Sequence, residues 1–477
     1  MTDNGRRLRG VTADAPPSEP MTARPGASDA GRAKRRIRPL GIVLAIGACL
    51  VVAGLLVKWL APHDSSAVVQ KGWASAEPHG AIRYCTGEDV AHTLQRSAND
   101  FNRSFPGATV SVDEGSFITD TNRKEYLDAI ANGTNDCDVI FLDVIYMKEF
   151  ASKHLLYDMS PYLTPGLSAT FNDKMMETTE QDGKRWGVPK QLDVGVMYYR
   201  GDRVDAPRTW QDVYRIAQHN GDGRLPGLRL PIGSYEGVTV VLLELAYAAG
   251  AQGIVSDDGR HANLDQPQVL EALRFLRDAR RDGVTPALKR QTDTANVEVY
   301  EEGRADFLRG WPFVAAALPR DAAKGRTETL RAKRREIARQ TKIAPLPTWG
   351  GNGRSVSILG GHDLVIPKSS HNPAGAMRLV AFLTSATQVR KDLRTGSQYP
   401  VLNDVANDLG ATHGSLIEAV QKTTIIPRPT LVGYAAISKI IAAGVKAATE
   451  HPRDDAFTRR ALQRIQRDVQ HALDAQR

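Results

Sequence analysis

The sequence predicts an α/β protein with a largely parallel sheet, preceded by a single apolar segment near the N-terminus. Two observations support this. From about residue 81, short apolar strand-like runs alternate with amphipathic helical segments. The run from Leu40 to Val57 has no charged residue, and no second run of that length follows it. The chain has 477 residues, 24% of them charged, and three cysteines, which excludes collagen-like, coiled-coil, disulfide-dense and polytopic membrane proteins.

The N-terminal segment predicts a membrane attachment. Residues 1–38 hold most of the excess positive charge and few large apolar side chains, so we expect a disordered basic cytoplasmic tail. Residues 39–61 are interpreted as a transmembrane signal anchor, followed by a polar stalk over 62–78. A lipoprotein signal with lipidation at Cys49 is the alternative. Both interpretations place the body outside the cytoplasm at the cell membrane, as a single-pass or lipid-anchored protein.

The body carries no positive signal for nucleic-acid binding or catalysis. The net charge of +8 is concentrated in the tail, and no basic stripe with interleaved aromatic residues appears. Phosphate-loop, nucleophile-elbow and zinc-protease motifs are missing, and the eleven histidines lack metal-ligand spacing. We therefore expect no enzyme activity, no metal, no cofactor and no nucleic-acid partner.

The first part of the body predicts a βαβαβ unit. Strands are expected at 81–85, 108–112 and 139–142. Between them, one helix keeps an apolar face from Val90 to Phe105, and a more polar helix spans about 119–132. Such alternation favours a parallel sheet covered by helices.

A second unit is expected to begin near Val194. It contains an alternating strand over 194–198 and helices over 209–220, 238–249 and 267–281. The arginine-rich segment 319–342 predicts a solvated basic helical excursion, and 355–366 a strand. Apolar-faced helices are expected at 373–385 and 431–448.

The two cysteines of the body are expected to be buried free thiols. Both fall on predicted strands, Cys85 late in its strand and Cys137 at the start of its own. An offset of three or four residues between parallel neighbours would separate the thiols by roughly 10–13 Å. That is beyond the ~7 Å Cα separation that a disulfide allows.

Carboxylates and aromatic residues cluster where predicted strands and helices begin or end. Asp143 directly follows a buried strand, the position at which open α/β sheets bind ligands. The other candidates are Gln191, Asp193, Tyr235, Glu236, Trp311, Gly361 and His362. Carboxylates accept strong hydrogen bonds from hydroxyl groups, and an aromatic face covers the C–H side of a sugar ring. These residue types suit a polyhydroxylated ligand.

Several of these candidates also have simpler structural interpretations. Asp143 could cap the following helix, and Asp193 could form a salt bridge at the crossover between the two units. Glu236 could stabilise a helix N-terminus, and Trp311 could be a core anchor. His362 is more simply interpreted as a structural histidine.

The body resembles the family 1 extracellular solute-binding proteins of ABC importers, in their maltose- and trehalose-binding branch. The resemblance covers roughly residues 80–435. It rests on motifs that occur in the same order and spacing, namely Asp138-Val-Ile-Phe-Leu-Asp143-Val-Ile-Tyr146, Glu149-Phe150-Ala151, Gly187-Val-Pro189, Gly195-Val-Met-Tyr198-Tyr199-Arg200, Pro207-Arg-Thr209-Trp210, Tyr235-Glu236-Gly237, Gly303-Arg304-Ala305, Trp311-Pro312, Ala344-Pro-Leu-Pro347 and Gly360-Gly361.

The resemblance implies a two-lobed periplasmic-binding-protein-like fold of type II, with a hinge between the lobes. Lobe 1 is expected over 79–193 plus 345–385, and lobe 2 over 194–344 plus 386–477. It further implies a monomer that binds a small carbohydrate solute between lobes that close on it and presents this solute to ABC permease subunits.

The resemblance also implies a ligand site formed by residues that match cleft positions of the family. The predicted site comprises Asp143, Tyr146, Gln191, Asp193, Tyr235, Glu236, Trp311, Gly361 and His362. Tyr146 and His362 stand where sugar-binding members often carry Trp, which favours a smaller or different ligand. Three alternatives remain open. The N-terminal span could make the protein a ligand sensor. The protein could bind a non-sugar solute, and the number of carboxylates leaves room for a cationic ligand such as a polyamine or an amino sugar. Asp143, Asp193 and Glu236 could also supply an acid/base pair for glycan cleavage.

Overall fold

The computed structural model describes residues 73–476, apart from 91, 220–226, 234, 287–291, 352, 396–398, 409–413 and 452–453. The predicted tail, the predicted span 39–61 with Cys49, and most of the predicted stalk therefore lie outside the described residues. Within the described part, no helix is both long and apolar enough to cross a membrane. The last stalk residues contain a 3-10 turn, Trp73–Ser75, whose Ala74 carbonyl accepts a hydrogen bond from Arg378 at 2.7 Å.

The strands of the described residues form two larger sheets and one hairpin. In chain order they are β1 (Gly80–Thr86), β2 (Ala108–Glu114), β3 (Val139–Asp143), β4 (Glu180–Gln181), β5 (Lys184–Arg185), β6 (Val188–Val194), β7 (Val196–Arg200), β8 (Leu228–Arg229), β9 (Phe307–Gly310), β10 (Thr341–Ala344), β11 (Val356–Val365) and β12 (Thr424–Ile426). The first sheet has the order β12-β11-β3-β1-β2, with β6 also paired to β11, and the second has the order β10-β7-β9-β8.

Helices cover both sheets. In chain order they are α1 (Thr93–Ser104), α2 (Thr119–Ala131), α3 (Met147–Ser152), α4 (Pro165–Ser168), α5 (Asp173–Thr178), α6 (Trp210–His219), α7 (Glu236–Ala248), α8 (Pro267–Arg281), α9 (Asp293–Glu301), α10 (Phe313–Asp321), α11 (Glu328–Gln340), α12 (Pro373–Leu383), α13 (Ala386–Thr395), α14 (Asn403–Asp408), α15 (Gly414–Gln421), α16 (Tyr434–Glu450) and α17 (Asp455–Asp474). Further 3-10 turns lie at Val144–Tyr146 and Ala322–Lys324.

The predicted βαβαβ beginning is confirmed. Strand β1 pairs in parallel with β2 on one side and with β3 on the other. The apolar face predicted for the first helix is buried, since Leu94, Ala98 and Phe101 of α1 are at most 4% exposed. Parallel neighbours bring the carboxyl ends of their strands to the same edge of the sheet, where Asp143 ends β3.

The chain leaves the first sheet for the second at Gly195. The run predicted as one strand over 194–198 is divided there, with Val194 in β6 and Val196 in β7. The backbone N–H of Gly195 donates to the Ser357 hydroxyl at 2.7 Å. A Cβ at this position would lie 2.5 Å from a guanidinium nitrogen of Arg309, so a side chain would collide with a buried ion pair. The glycine thus allows a close approach at the crossover between the two sheets.

The core follows the two sheets. One cluster of buried side chains packs around the first sheet and extends to β7 and α10, and a second packs around α7, α8, α16 and α17. A third, smaller cluster contains Cys85, Cys137, Tyr146 and Trp186. The helices predicted at 267–281, 373–385 and 431–448 correspond to α8, α12 and α16.

Helix α13 packs on the first sheet's side of the molecule, whereas its residues were expected in lobe 2. Asp392 of α13 accepts a hydrogen bond from Ser97 of α1 and pairs with the buried Lys190 of β6, both at 2.7 Å. Farther along, Leu402 forms a bridge with Phe171. The apolar pattern of a helix shows that one face is buried, but it does not identify the sheet that buries it.

The expectation of free thiols is wrong, because Cys85 and Cys137 form a disulfide with a Cα separation of 5.7 Å. Cys85 lies in β1 opposite Ile140, as the predicted offset requires. Strand β3, however, begins only at Val139, and the chain bends at Asp138. The rise along a straight strand therefore does not set the distance between the thiols. Disulfides persist in oxidising compartments, which agrees with an extracytoplasmic body.

The predicted basic excursion 319–342 is helical for most of its length. It comprises the end of α10, the 3-10 turn Ala322–Lys324 and α11, and it ends in strand β10. Several of its arginines pair with carboxylates of the same segment, for example Arg331 and Arg335 with Glu328. The segment is therefore largely a solvent-facing basic surface, whose three carboxylates offset only part of the charge of its nine Lys and Arg residues.

Candidate ligand-binding cleft

A cavity lies where the first sheet's strand ends meet the helices of the second lobe. From the first sheet it is lined by residues of β3, β6 and β11, and from the other side by the beginnings of α7, α9 and α10. The cavity has a volume of about 170 Å³. A water molecule in the liquid takes up about 30 Å³, so the cavity has room for roughly six waters. Phe117 and Phe313 meet at its margin, edge to face, with ring centroids 6.0 Å apart.

Side chains from three neighbouring strands form the polar floor of the cavity. In the register of the first sheet, Asp143 of β3 lies opposite His362 of β11, and Asp193 of β6 lies opposite Gly360. Asp143 also accepts a hydrogen bond from the Ile145 backbone N–H at 3.2 Å. It therefore caps the short 3-10 turn and lines the cavity at the same time.

Asp193 is a buried carboxylate with a neutral hydrogen-bond partner. Both of its oxygens accept from the Gln191 amide, at 2.9 and 2.8 Å. Burial raises the pKa of Asp193 to about 6, and the nearby negative charge of Asp143 adds to the shift. The sequence leaves open a salt bridge between Asp193 and a residue at the crossover. Among the described residues, the only basic group within 4.0 Å of the Asp193 carboxylate is Nδ1 of His362.

His362 is held by stacking rather than by hydrogen bonds. Its ring lies parallel to that of Phe141, with centroids 4.1 Å apart and 5° between the planes. Burial lowers the pKa of His362, so its neutral form predominates at pH 7. Within the described residues its Nδ1 has no hydrogen-bond partner.

Trp311 covers the cavity from the second lobe. Its indole stacks on the guanidinium of Arg309, with Cζ 3.8 Å from the ring centroid. Arg309 is itself fixed by Glu244, whose carboxylate accepts two hydrogen bonds from it at 2.9 and 2.6 Å. A Cβ at Gly360 would lie 3.2 Å from the indole, so this glycine lets the ring approach the strand. Trp311 is thus a pre-oriented aromatic wall of the cavity.

Gly361 allows β11 to pass close to β6. Its φ is +137°, and a Cβ there would lie 2.1 Å from the Gln191 carbonyl oxygen. Only glycine fits this position without a shift of one of the two strands.

Glu236 is occupied by protein partners. It accepts hydrogen bonds from Arg428 at 2.9 Å, from the Tyr434 hydroxyl at 2.7 Å and from Ser438. Burial raises the pKa of Glu236, while these donors favour its ionised form. Arg428 also lies 3.6 Å from Asp143 and donates to the Leu359 carbonyl at 3.1 Å.

Tyr235 forms a hydrogen bond with a further carboxylate of the cavity. Its hydroxyl donates to Asp293, the first residue of α9, at 2.6 Å. Burial raises the pKa of Asp293, and its other oxygen, 4.0 Å from Arg309, has no hydrogen-bond partner in the described part of the chain.

The structure brings eight of the nine predicted site residues to this cavity. They are Asp143, Gln191, Asp193, Tyr235, Glu236, Trp311, Gly361 and His362. Tyr146 is the exception. It is 2% exposed, packs in the third core cluster and donates its hydroxyl to Asp120 at 3.0 Å.

The sequence-based prediction missed several lining residues, including Asp89, Phe117, Asp293, Phe313 and Arg428. Asp293 stands at a helix start behind a capping Thr292, a local signal that could have singled it out. Arg428 stands between two prolines in a loop and gave no comparable signal. No group of three or more His, Cys, Asp or Glu side chains in the described residues could hold a metal ion.

Residues 87–390, about two thirds of the chain, match the family described as bacterial extracellular solute-binding protein. The chain belongs to this family. Its members are solute-binding proteins rather than enzymes, which confirms the expectation of a binding protein and removes glycan cleavage from consideration. The family also implies that the body lies outside the cytoplasm.

Similar proteins agree with this membership. A probable ABC transporter-binding protein of Deinococcus radiodurans is 24% identical over 343 residues, which cover 68% of this chain and 77% of that protein. Maltose-bound MalE3 of T. maritima has a TM-score of 0.72 at 24% identity and covers 82% of this chain and 99% of its own. A solute-binding protein of Thermotoga lettingae with bound α-D-tagatose has a TM-score of 0.72 at 23% identity, covering 83% and 100%. These structures establish the two-lobed α/β binding-protein fold.

Proposed function

We propose that this solute-binding protein binds a carbohydrate in the cavity between its two lobes and delivers it to the permease subunits of an ABC importer. The observation that carries the proposal is that the Trp311 indole and the carboxylates of Asp143 and Asp193 line the same cavity. An aromatic face covers the apolar side of a sugar ring, and carboxylates accept hydrogen bonds from its hydroxyls.

The size of the cavity favours a small sugar. Room for roughly six waters corresponds to about one sugar ring. The similar structures support the ligand class, since they are described with bound maltose and bound tagatose. A ligand of one or two rings would fill the space between Trp311 and the floor of the first sheet.

We expect the lobes to close on the sugar, because side chains of both lobes line the cavity and contact one another across it. Phe117 of the first lobe meets Phe313 of the second, and Arg428 bridges Asp143 and Glu236. A ligand that contacts both sides favours the closed arrangement only by its extra affinity for it. A micromolar affinity corresponds to about −8 kcal/mol, within reach of a few charge-assisted hydrogen bonds and one stacking contact.

We further propose that the N-terminal segment tethers a monomeric body to the outer face of the cell membrane. The uncharged run from Leu40 to Val57, with basic residues before it, supports a signal anchor, and Cys49 supports the lipoprotein alternative. Membrane fractions of expressing cells should retain the protein after a high-salt wash. Mass spectrometry of its N-terminus separates the two: an intact Met1 terminus supports the anchor, and a lipidated Cys49 terminus supports the lipoprotein.

The test of carbohydrate binding is calorimetry with the full-length protein, kept in a detergent without a sugar head group. Maltose, trehalose, glucose and tagatose are titrated in turn. We expect saturable one-to-one binding without product formation. Trp311→Ala should weaken it at least ~30-fold, as expected for a buried aromatic contact worth at least ~2 kcal/mol.

Trp349→Ala is the matched control. Trp349 packs edge to face on Phe275, with centroids 5.8 Å apart, and does not line the cavity. It should lower stability and leave affinity unchanged. If no carbohydrate binds to the folded protein, or if both variants weaken binding equally, the proposed function is wrong.

A further inference from the structure

The cavity is strongly acidic. Six carboxylate side chains line it, belonging to Glu88, Asp89, Asp143, Asp193, Glu236 and Asp293. Among the described lining residues, Arg428 is the only Lys or Arg. Neutral sugars need hydrogen-bond acceptors but do not need this excess of negative charge. The imbalance therefore requires an explanation beyond hydroxyl binding.

Half of these carboxylates are accounted for by the protein itself. Asp89 caps α1 by accepting from the backbone N–H groups of Thr93 and Gln95, at 2.9 and 3.0 Å. Glu236 is paired with Arg428 and two hydroxyls, and Glu88 is exposed to solvent. These three carboxylates therefore do not need a positive charge on the ligand to compensate them.

The remaining three are buried and incompletely compensated. Asp193 forms no salt bridge with a Lys or Arg in the described part of the chain, and its neighbour His362 is neutral at pH 7. Arg309 and Arg428 act on Asp193 only from a distance and do not offset the effect of burial, which raises its pKa. Asp143 lies 3.6 Å from Arg428, which is committed to Glu236 at 2.9 Å. Asp293, 6% exposed, keeps one oxygen without a hydrogen-bond donor.

Asp143 and Asp193 share one side of the cavity. They flank β11 on its two neighbouring strands, opposite His362 and Gly360. Each side chain is 12% exposed, so each has been largely removed from water while its oxygens still reach the cavity. The negative charge of Asp143 disfavours ionisation of the buried Asp193, and a cation bound beside both carboxylates would relieve that repulsion.

We propose that the solute is an amino sugar whose protonated amino group is bound by Asp193 and Asp143. This assignment rests on the proposed function, since it takes the same cavity and adds a positive charge to the ligand. Trp311 covers the ring of the sugar, and the ammonium group donates hydrogen bonds to the two carboxylates. Asp293, beyond Tyr235 on the opposite side, adds to the negative potential of the cavity.

The test compares chemically matched ligands on the full-length protein. Glucosamine is titrated against glucose, and galactosamine against galactose, at pH 7, with spermidine as a cation without a ring. We expect each amino sugar to bind at least 10-fold more tightly than its neutral counterpart. Asp193→Asn should weaken glucosamine binding about 10- to 100-fold and glucose binding several-fold less, because glucosamine loses an ion pair whereas glucose loses only the charge assistance of a hydroxyl hydrogen bond.

Asp143→Asn is the second variant and should show the same selective loss. Asp468→Asn, on an exposed position of α17 away from the cavity, is the charge control and should change neither affinity. Glucose that binds as tightly as glucosamine would overturn the amino-sugar assignment and leave carbohydrate binding intact. Equal losses for both ligands in Asp193→Asn would do the same. If neither amino sugar binds to the folded protein, the amino-sugar assignment is wrong. Binding of spermidine alone, with the sugars of the first panel also silent, would overturn the proposed function itself.

Discussion

Replacing Arg428 by methionine should destabilise the protein by about 3–5 kcal/mol at pH 7. Its side chain is 5% exposed and bonds Glu236 at 2.9 Å, with Asp143 at 3.6 Å and the Leu359 carbonyl at 3.1 Å. Methionine fills a similar volume, so the loss comes from leaving two buried carboxylates without their cation. Removing one partner of a buried ion pair costs about 3–5 kcal/mol for this reason.

The assay is urea unfolding followed by tryptophan fluorescence, which gives the free energy of unfolding. Arg390→Met is the matched control, since Arg390 pairs with Asp408 at 2.9 Å but is 42% exposed. That exposed pair should contribute less than about 1 kcal/mol. The same pattern is expected in thermal unfolding.

The pH dependence of Arg428→Met supplies an independent check. Burial already raises the pKa of Glu236, and loss of the guanidinium removes the main interaction that opposes the shift. A carboxyl whose folded pKa lies above its unfolded value stabilises the protein at low pH and loses that contribution as the pH rises. The deficit of the variant should therefore shrink as the pH falls toward 4.5. A deficit below 1 kcal/mol, or one that does not depend on pH, would refute the account of this ion pair.

Three further predictions concern the same body. Reducing the Cys85–Cys137 bond, which closes a loop of 52 residues, should lower the free energy of unfolding by about 2–4 kcal/mol; peptide mapping without reductant checks the bond, and unchanged stability would contradict the prediction. Burial raises the pKa of Asp193 from 3.8 to about 6, so wild-type stability should fall by up to ~3 kcal/mol as the pH rises from 4 to 6, and Asp193→Asn should lack this part of the slope in urea titrations. Gly361→Ala places a Cβ 2.1 Å from the Gln191 carbonyl and should lower the unfolding temperature, which a wild-type melting curve for the variant would disprove.

The elements that the sequence predicts well are those with a strong local pattern. Strands β1, β2 and β3 were found from short apolar runs, and α8 from its proline start and its apolar stripe over Pro267–Arg281. Site residues next to such elements, Asp143 after β3 and Glu236 at the start of α7, were found for the same reason. The boundaries of such elements, and the residues at these boundaries, can be predicted because they depend on residues that are close in the sequence.

The features that the sequence did not predict depend on contacts between distant segments. Arg428 meets Glu236 across 192 residues, and no periodic pattern records that meeting. The bend at Asp138 that brings Cys137 to Cys85 is likewise not encoded by apolar alternation. The family resemblance predicts Tyr146 in the site, but its side chain is buried in the core and its hydroxyl donates a hydrogen bond to Asp120.

A crystal structure of the protein with the most tightly bound sugar of the calorimetric panel would test the central claim most directly. We expect density for one ligand between the lobes, with its ring on the indole of Trp311 and its polar groups within hydrogen-bond distance of Asp143 and Asp193. Density for the ligand elsewhere on the molecule, with this cavity holding only water, would contradict it.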